Sequence, residues 1–322
     1  MAPARPFPVD PQLTAIAIGY SNPANSLIAN DVLPEVQVGA EKFSWTEYPI
    51  ADAFTVPDTR VGRAGRVNRV TFTGEERTAS TNDYGLEDPI PLSDIEEAER
   101  ARAENRSNYD PEAHGIMMLT DLLLLAKELR AASTVQDPAN YAPERREVLT
   151  GTDRFSDYVN SKPIQVIKAA INGTLIYRPN VMSMGPKVWE FLSSHPALVN
   201  AIRGNLTSEG IVTREQVARL FEIQKVVVGE GYVNTAKPGQ DPVLGRAWGN
   251  SIQLTYVNPV VSTQRGITWG YTAKYGSRIA GRIIDPNVGL DGGVVIRSGE
   301  KCAEIVAARD VGFQIANVVE EL

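Results

Sequence analysis

Histidine and cysteine are nearly missing from this sequence: two of the former and one of the latter in 322 residues. A lone cysteine, Cys302, excludes an intrachain disulfide and any cysteine-based zinc site, and a small buried apolar role is expected for it. Long apolar runs are also lacking. The longest, Leu122 to Ala126, is flanked by Asp121 and Lys127 and falls far short of the roughly 20 residues a membrane span needs. The opening MAPARPFPVDPQL has no apolar core of a secretory signal, so the chain is expected to be made in a cytoplasm and to stay soluble, with no membrane partner. A basic excess is absent too. Lys and Arg total 32 against 39 Asp and Glu, net charge −7, the wrong sign for a protein whose main task is gripping phosphates. No phosphate loop of the G-x-x-x-x-G-K-[ST] type, no H-E-x-x-H and no G-x-S-x-G elbow occurs. No catalytic, cofactor-binding or metal-ligating residue is therefore assigned.

What remains is a folded-protein composition with 43% apolar and 22% charged residues, enough for a core and for two or three domains. Glycine (26) and proline (21) are spread throughout, which favours turns and extended segments over a helical bundle. Residues 1–34 read as an extended arm with a brief contact around Leu13 to Ile18, needing a surface such as another subunit to lie on. Residues 35–90 read as a long hairpin: VQVGAEKFSWTEYPI ascends, PDTRVGRAGR forms the tip, and VNRVTFTG returns with Val70 and Phe72 on one face. A hairpin alone is marginal in water, so it should pack on a neighbour.

PLSDIEEAERARAENRS is helical by composition and very polar. Asp110 followed by Pro111 is a helix-start signal, and Met118, Leu122, Leu125 and Leu129 recur at spacings of four, three and four. That predicts a helix from Pro111 to about Ser133, roughly 35 Å long, with those residues as its buried face and Leu119, Leu123 and Leu124 widening the stripe. Residues 91–150 contain both helices, and residues 135–160 read as loop. Residues 151–265 read as a compact mixed unit. Ser161 would cap a helix ending at Gly173, Pro186 and Pro196 open two more, and Thr213 with Gln216 forms a capping box before the strand KVVVGEGYV. Residues 266–322 are strand-rich: ITWGYTA, SRIAGRIID, GGVVIRS and the final CAEIVAARDVGFQIANVV.

Several side-chain groups invite a chemical reading. His114, in the first turn of the long helix, is expected to be a surface or cap-adjacent residue. His195, before Pro196, is expected to donate a hydrogen bond at a helix end. A hydrolase built on His195 or on carboxylates of the 151–265 unit has no clustered nucleophile, base and orienter to support it. Gly289, Gly292 and Gly293 with Asp291 read as a hairpin turn. Asp83, Glu87 and Asp88, beside Gly85, Pro89 and Pro91, read as a structured turn rather than a cation site. Asp94, Glu96, Glu97 and Glu99 read as an acidic helix face, with Arg100 and Arg102 as local ion-pair partners. Above these stands one pattern. Arg60, Arg63, Arg66 and Arg69 recur every three residues around the hairpin tip of an acidic chain, which invites a partner with carboxylates.

LTAIAIGYSNPANSLIANDVLPEVQVGAEKFSWTEYPI and DYGLEDPIPLSDI resemble the corresponding parts of tailed-bacteriophage major capsid proteins. The order of elements resembles the Hong Kong 97 capsid fold along the whole chain. The resemblance implies an α+β fold divided into an N-terminal arm (1–34), an E-loop hairpin (35–90), a peripheral domain with a spine helix (91–150), an axial domain (151–265) and peripheral return strands (266–322). It implies pentamers and hexamers in an icosahedral head shell. That shell would enclose double-stranded DNA without reading its sequence, and would work with a portal and sometimes decoration proteins. It further implies that Arg60, Arg63, Arg66 and Arg69 meet Asp94, Glu96, Glu97 and Glu99 of an adjacent subunit. Some family members carry a long cleaved scaffolding segment. Here about 34 residues precede the hairpin, so a separate scaffolding protein, or prior removal of the segment, is expected. Others cross-link through an E-loop lysine. Lys42 is the sole lysine in residues 35–90 and sits near the hairpin base, so no cross-linking residue is assigned. A bacterial encapsulin-type compartment shares the fold and is the alternative shell.

Overall fold

The computed structural model describes residues 9–19, 27–47, 55–63, 65–71, 75–204, 209–237, 239–260 and 267–320. The remaining stretches, including the first eight residues and Phe72, lie outside that description.

The N-terminal segment does not wait for another subunit. Helix α1 (Pro11–Gly19) is started by Asp10, whose carboxylate accepts from the Gln12 and Leu13 amides. It buries Leu13 and Ala17 in a cluster with Ile116, Leu119, Ala280 and Ile296. A short helix, α2 (Ala29–Val32), buries Ile28, Val32 and Leu33. The expectation of an arm without an intrachain seat is corrected for these residues. Proline-rich flanks made the segment look extended, but the apolar residues between them find a core in their own chain.

Strand β1 (Glu35–Val38) likewise leaves the expected hairpin and pairs in parallel with a distant strand. The hairpin itself is β2 (Lys42–Glu47) and β3 (Glu75–Ser80), in register from Lys42 opposite Ser80 to Glu47 opposite Glu75. The returning strand is thus EERTAS and not VNRVTFTG: Val70 is exposed in irregular backbone, and Phe72 is outside the described residues. Among the described residues the pairing ends at Glu47 opposite Glu75, and residues 67–71 of the expected run are irregular and exposed. Strand β4 (Asn82–Pro91) then forms an edge of the main sheet. The carboxylates expected in a turn here are on this edge, with Glu87 paired to Arg297 and Asp83 to Lys301. Pro89 and Pro91 are tolerated because an edge strand needs donors on one side only.

Helix α3 (Leu92–Ala103) follows, then the long helix α4 (Pro111–Gln136), whose start is as the sequence predicts: Asp110 accepts from the Glu112 and Ala113 amides. Its orientation is only partly as predicted: the Leu119 and Leu123 flank of the stripe is buried, but the expected centre of the face is not. Ile116, Leu119, Leu123, Ala131, Ala132 and Val135 are buried, while Met118, Leu122 and Leu129 face outward at 50%, 52% and 37% exposure. Apolar residues surround much of this helix, so periodicity alone could not choose the stripe. Close approach to the sheet chose it: a Cβ on Gly115 would lie 2.3 Å from the fully buried Ile296 side chain.

Beyond α4, β5 (Arg146–Val148) opens a second unit. It contains α5 (Pro163–Asn172), β6 (Val181–Met184), α6 (Pro186–Ser193), α7 (Pro196–Arg203), α8 (Arg214–Phe221) and β7 (Lys225–Val228). The small hairpin β8 (Tyr232–Asn234) and β9 (Leu244–Arg246) precedes β10 (Ser251–Thr255). Four strand runs expected near the end are two long strands, β11 (Gly270–Asp285) and β12 (Gly293–Val306), with β13 (Gly312–Ala316) last. A bulge between Tyr275 and Ile279, where Gly276 has φ +71, lets β11 run on through what looked like a break. The turn joining β11 to β12 uses Gly289 and Gly292 at positive φ, as the glycine cluster predicts.

Two sheets result. One has the order β1-β11-β12-β4, and α1 and α4 pack against it. The other has the order β5-β13-β10-β6-β7, and α5 to α8 bury Ile167, Leu192, Leu198 and Phe221 against its Met182, Ile252 and Ile315. A third cluster around Trp248, Trp269, Tyr141, Leu33 and Val135 joins the far end of α4 to both.

Candidate assembly surfaces

The four arginines occupy the irregular loop of residues 55–63 and 65–71, every described residue of which is exposed. A few local bonds shape it: Asp58 accepts from the Arg60 amide at 2.9 Å, and Asn68 donates to the Asp58 carbonyl at 2.6 Å. Val56, at 86% exposure, and Val67, at 75%, share the loop with them. Among the described residues, none of the guanidinium groups of Arg60, Arg63, Arg66 and Arg69 meets a carboxylate of its own chain. Four exposed cations and these two uncovered valines thus share this loop among the described residues.

Asp94, Glu96, Glu97 and Glu99 are all exposed on α3, which buries Ile95 and Ala98 instead. The expected pairing with neighbouring arginines is corrected for Arg102, which reaches Asp110 at 3.5 Å. Asp94 and Glu97, one turn apart, line a groove of about 610 Å³ between α3, β4 and the start of α4, together with Asp88, Tyr109, His114 and Met118. His114 stays exposed and packs its ring near Tyr109. The groove therefore offers carboxylates and apolar atoms side by side. No ion pair joins it to the arginine loop within one chain among the described residues.

The sequence missed how the N-terminal segment is held. Lys127, 3% exposed, reaches Asn30 and Glu35 at 2.5 Å each. Glu35 also meets Lys274 at 3.2 Å, and Lys274 is 3.6 Å from Glu300, which pairs with Arg278 at 3.0 Å. Arg278 donates to the Ala17 carbonyl at the end of α1. Burial alone would raise the Glu35 carboxyl, but the charges and hydrogen bonds of Lys127 and Lys274 outweigh it and hold it below the ordinary carboxylate value. Next to Lys127, the fully buried Glu128 accepts from the amides of Ile28 and Ala29 and from the Trp248 indole. The signal in the sequence was a Lys-Glu pair interrupting an apolar helix.

Ser161 and His195 come within 2.9 Å, the separation of a catalytic dyad. Their bonding runs the wrong way for a nucleophile. His195 Nδ1 accepts from the Ala197 amide, so Nε2 carries the proton and donates to Ser161, whose hydroxyl donates to the Asp157 carbonyl. His195 is thus a helix cap that accepts where donation was expected, and Ser161 does not cap α5, whose first flanking residue is Lys162. Burial pushes the His195 imidazole below its ordinary 6.5, with the Asp157 charge opposing in part. A histidine kept neutral in the fold stabilises above the unfolded value, and that stability is lost as pH falls from about 6.5 through the folded value. Urea midpoints are expected to drop between pH 7.5 and 5.5, and to drop less in His195→Asn. Equal slopes for the two proteins would remove His195 as the cause. Cys302 is buried as expected, its thiol pushed up to about 11, chiefly by burial.

No protein-family model matches the chain. Over 314 residues it is 41% identical to the major capsid protein of Pseudomonas phage JBD67, covering 98% of each protein. Identity to the major capsid protein of Burkholderia phage BcepMu is 27% over 323 residues, covering 96% of each. Among solved structures, a phage-related protein of Bordetella bronchiseptica matches with a TM-score of 0.75 at 22% identity, over 97% of this chain and 98% of that one. The capsid of cyanophage P-SCSP1u matches at 0.58 and 10% identity, over 92% and 90%. The mixed α+β fold, two larger sheets joined by a long helix, matches that of phage capsid structures. The chain belongs to the major capsid proteins of bacteriophages, and its place is the shell of the virion.

Proposed function

We propose that the chain builds a Hong Kong 97-type icosahedral head from pentamers and hexamers. In that reading β2, β3 and their loop are the E-loop, the four-stranded sheet with α4 is the peripheral domain, and the five-stranded sheet with α5 to α8 is the axial domain. The observation that carries it is the exposed loop of residues 55–63 and 65–71, whose four arginines meet no carboxylate of their own chain among the described residues, alongside an acidic groove elsewhere on the same molecule. On a neighbouring copy the two are complementary, so Arg60, Arg63, Arg66 and Arg69 approach Asp94, Glu96, Glu97 and Glu99 between subunits. The net charge of −7 suits a container that encloses double-stranded DNA without gripping it. Assembly takes place in the host cytoplasm with a separate scaffolding protein and a portal, and the protein carries out no catalysis. A phage head is favoured over an encapsulin-type compartment by the 41% identity to a phage major capsid protein.

Negative-stain microscopy and sedimentation of the purified protein test this directly. Closed shells or ring-shaped oligomers are expected. A single stable monomer at high concentration, across a range of salt, would falsify the shell reading.

A further inference from the structure

A helix at a protein surface ordinarily turns charged residues to water. The long helix α4 does the opposite. Its most exposed residues are His114, Met118, Leu122, Leu129 and Ser133, with Leu125 half-buried between them, and no Asp, Glu, Lys or Arg is among them. At about 100° per residue these six fall within an arc of about 100°, a continuous stripe roughly 28 Å long. The central four are spaced four, three and four, the spacing of a helix-pairing seam. The stripe is also symmetric about its midpoint. Turned end for end, Met118 exchanges with Leu129, Leu122 with Leu125, and His114 with Ser133.

We propose that a second copy of this chain covers this stripe, with the two α4 helices packed antiparallel about a two-fold axis. Met118 then faces Leu129 of the second copy, and Leu122 faces its Leu125. The stripe itself carries no carboxylate, lysine or arginine, so self-pairing sets no like charges face to face along the seam, and antiparallel helices oppose their dipoles favourably. The acidic groove borders only its His114–Met118 end. A seam about 28 Å by 10 Å buries a few hundred Å² per copy, below the total of about 1,200 Å² that a stable free pair needs. The contact therefore acts inside the shell, where other contacts hold the copies, and in that respect it rests on the shell reading.

Cysteine placement tests it. Met118→Cys, Leu129→Cys and the double variant are assembled into shells, confirmed by microscopy, oxidised mildly and run on a non-reducing gel. Covalent dimers are expected from the double variant and not from either single one. In the antiparallel pair each cysteine lies opposite the other position, and its own counterpart is roughly 16 Å away along the axis. Within one chain the two positions are equally far apart, so the bond must join two copies. The buried Cys302 does not compete. Where the double variant does not assemble, shells co-assembled from the two single variants give the same read-out. Shells that form without covalent dimers, or single variants that cross-link as strongly as the double, overturn the proposal. Failure of the wild type to form shells is seen separately and counts against the shell reading itself.

Discussion

Glu128→Leu is expected to lower unfolding stability by about 3–5 kcal/mol, a large share of what a domain possesses. The carboxylate is fully buried and bonded at 3.0 Å to the Ile28 amide, 2.8 Å to the Ala29 amide and 2.6 Å to the Trp248 indole. Leucine fills similar space but accepts nothing, so three buried N–H groups lose their partner at about 1–3 kcal/mol each before relaxation. Glu128→Gln is expected to cost less, about 1–3 kcal/mol. Its oxygen can take the place of the atom serving Ile28 and Trp248, but its amide nitrogen then points at the Ala29 N–H. Urea denaturation measures both, and amide exchange at residues 28 and 29 shows where the loss falls. Wild-type stability in Glu128→Leu, or exchange unchanged at those amides, would show that α2 is not held from α4.

The second large effect is on assembly and leaves the fold alone. Arg63→Glu with Arg66→Glu is expected to fold normally, since neither side chain meets a partner in its own chain among the described residues, and to lose most shell formation. Each exposed Arg-carboxylate pair contributes only about 0–1 kcal/mol, but reversal turns attraction into repulsion and the shell repeats it at every contact. Asp94→Arg with Glu97→Arg should partly restore assembly in that background, those two being the acids that line the groove. Wild-type assembly should weaken as salt rises, while the apolar part of the contact persists. Light scattering across a salt series follows both. Unimpaired assembly of the arginine double mutant at low and high salt would reduce the loop charges to a solubility feature.

The α4 helix shows how far the sequence could be followed. Its start was legible, because Asp110 and Pro111 act within one turn and need no tertiary context. Its length and apolar character were legible for the same reason. Where that apolar belt centred its buried face was legible only in part: Leu119 and Leu123 are buried as expected, but Met118–Leu122–Leu125–Leu129 and Ile116–Leu119–Leu123 both satisfy a helical period. The hairpin was legible as a hairpin, yet its return strand was placed too early, since strand propensity does not fix register without a partner surface.

The sequence by itself determined the local signals and the class. The capping box at Thr213 and Gln216, the helix end at Gly173 and the turn at Gly289 and Gly292 are short-range, each satisfied by neighbouring backbone. The near absence of cysteine and histidine, with four arginines on one predicted tip, pointed to contact rather than chemistry. Tertiary structure decided what depends on partners far along the chain. It seated α1 and α2 in the chain's own core, buried Lys127 and Glu128 against residues about 100 positions away, and set the tautomer that silences His195. It also turned an apolar stripe of α4 outward. Periodicity reports that a face is apolar, but whether that face meets its own sheet or another copy depends on where the rest of the chain lies.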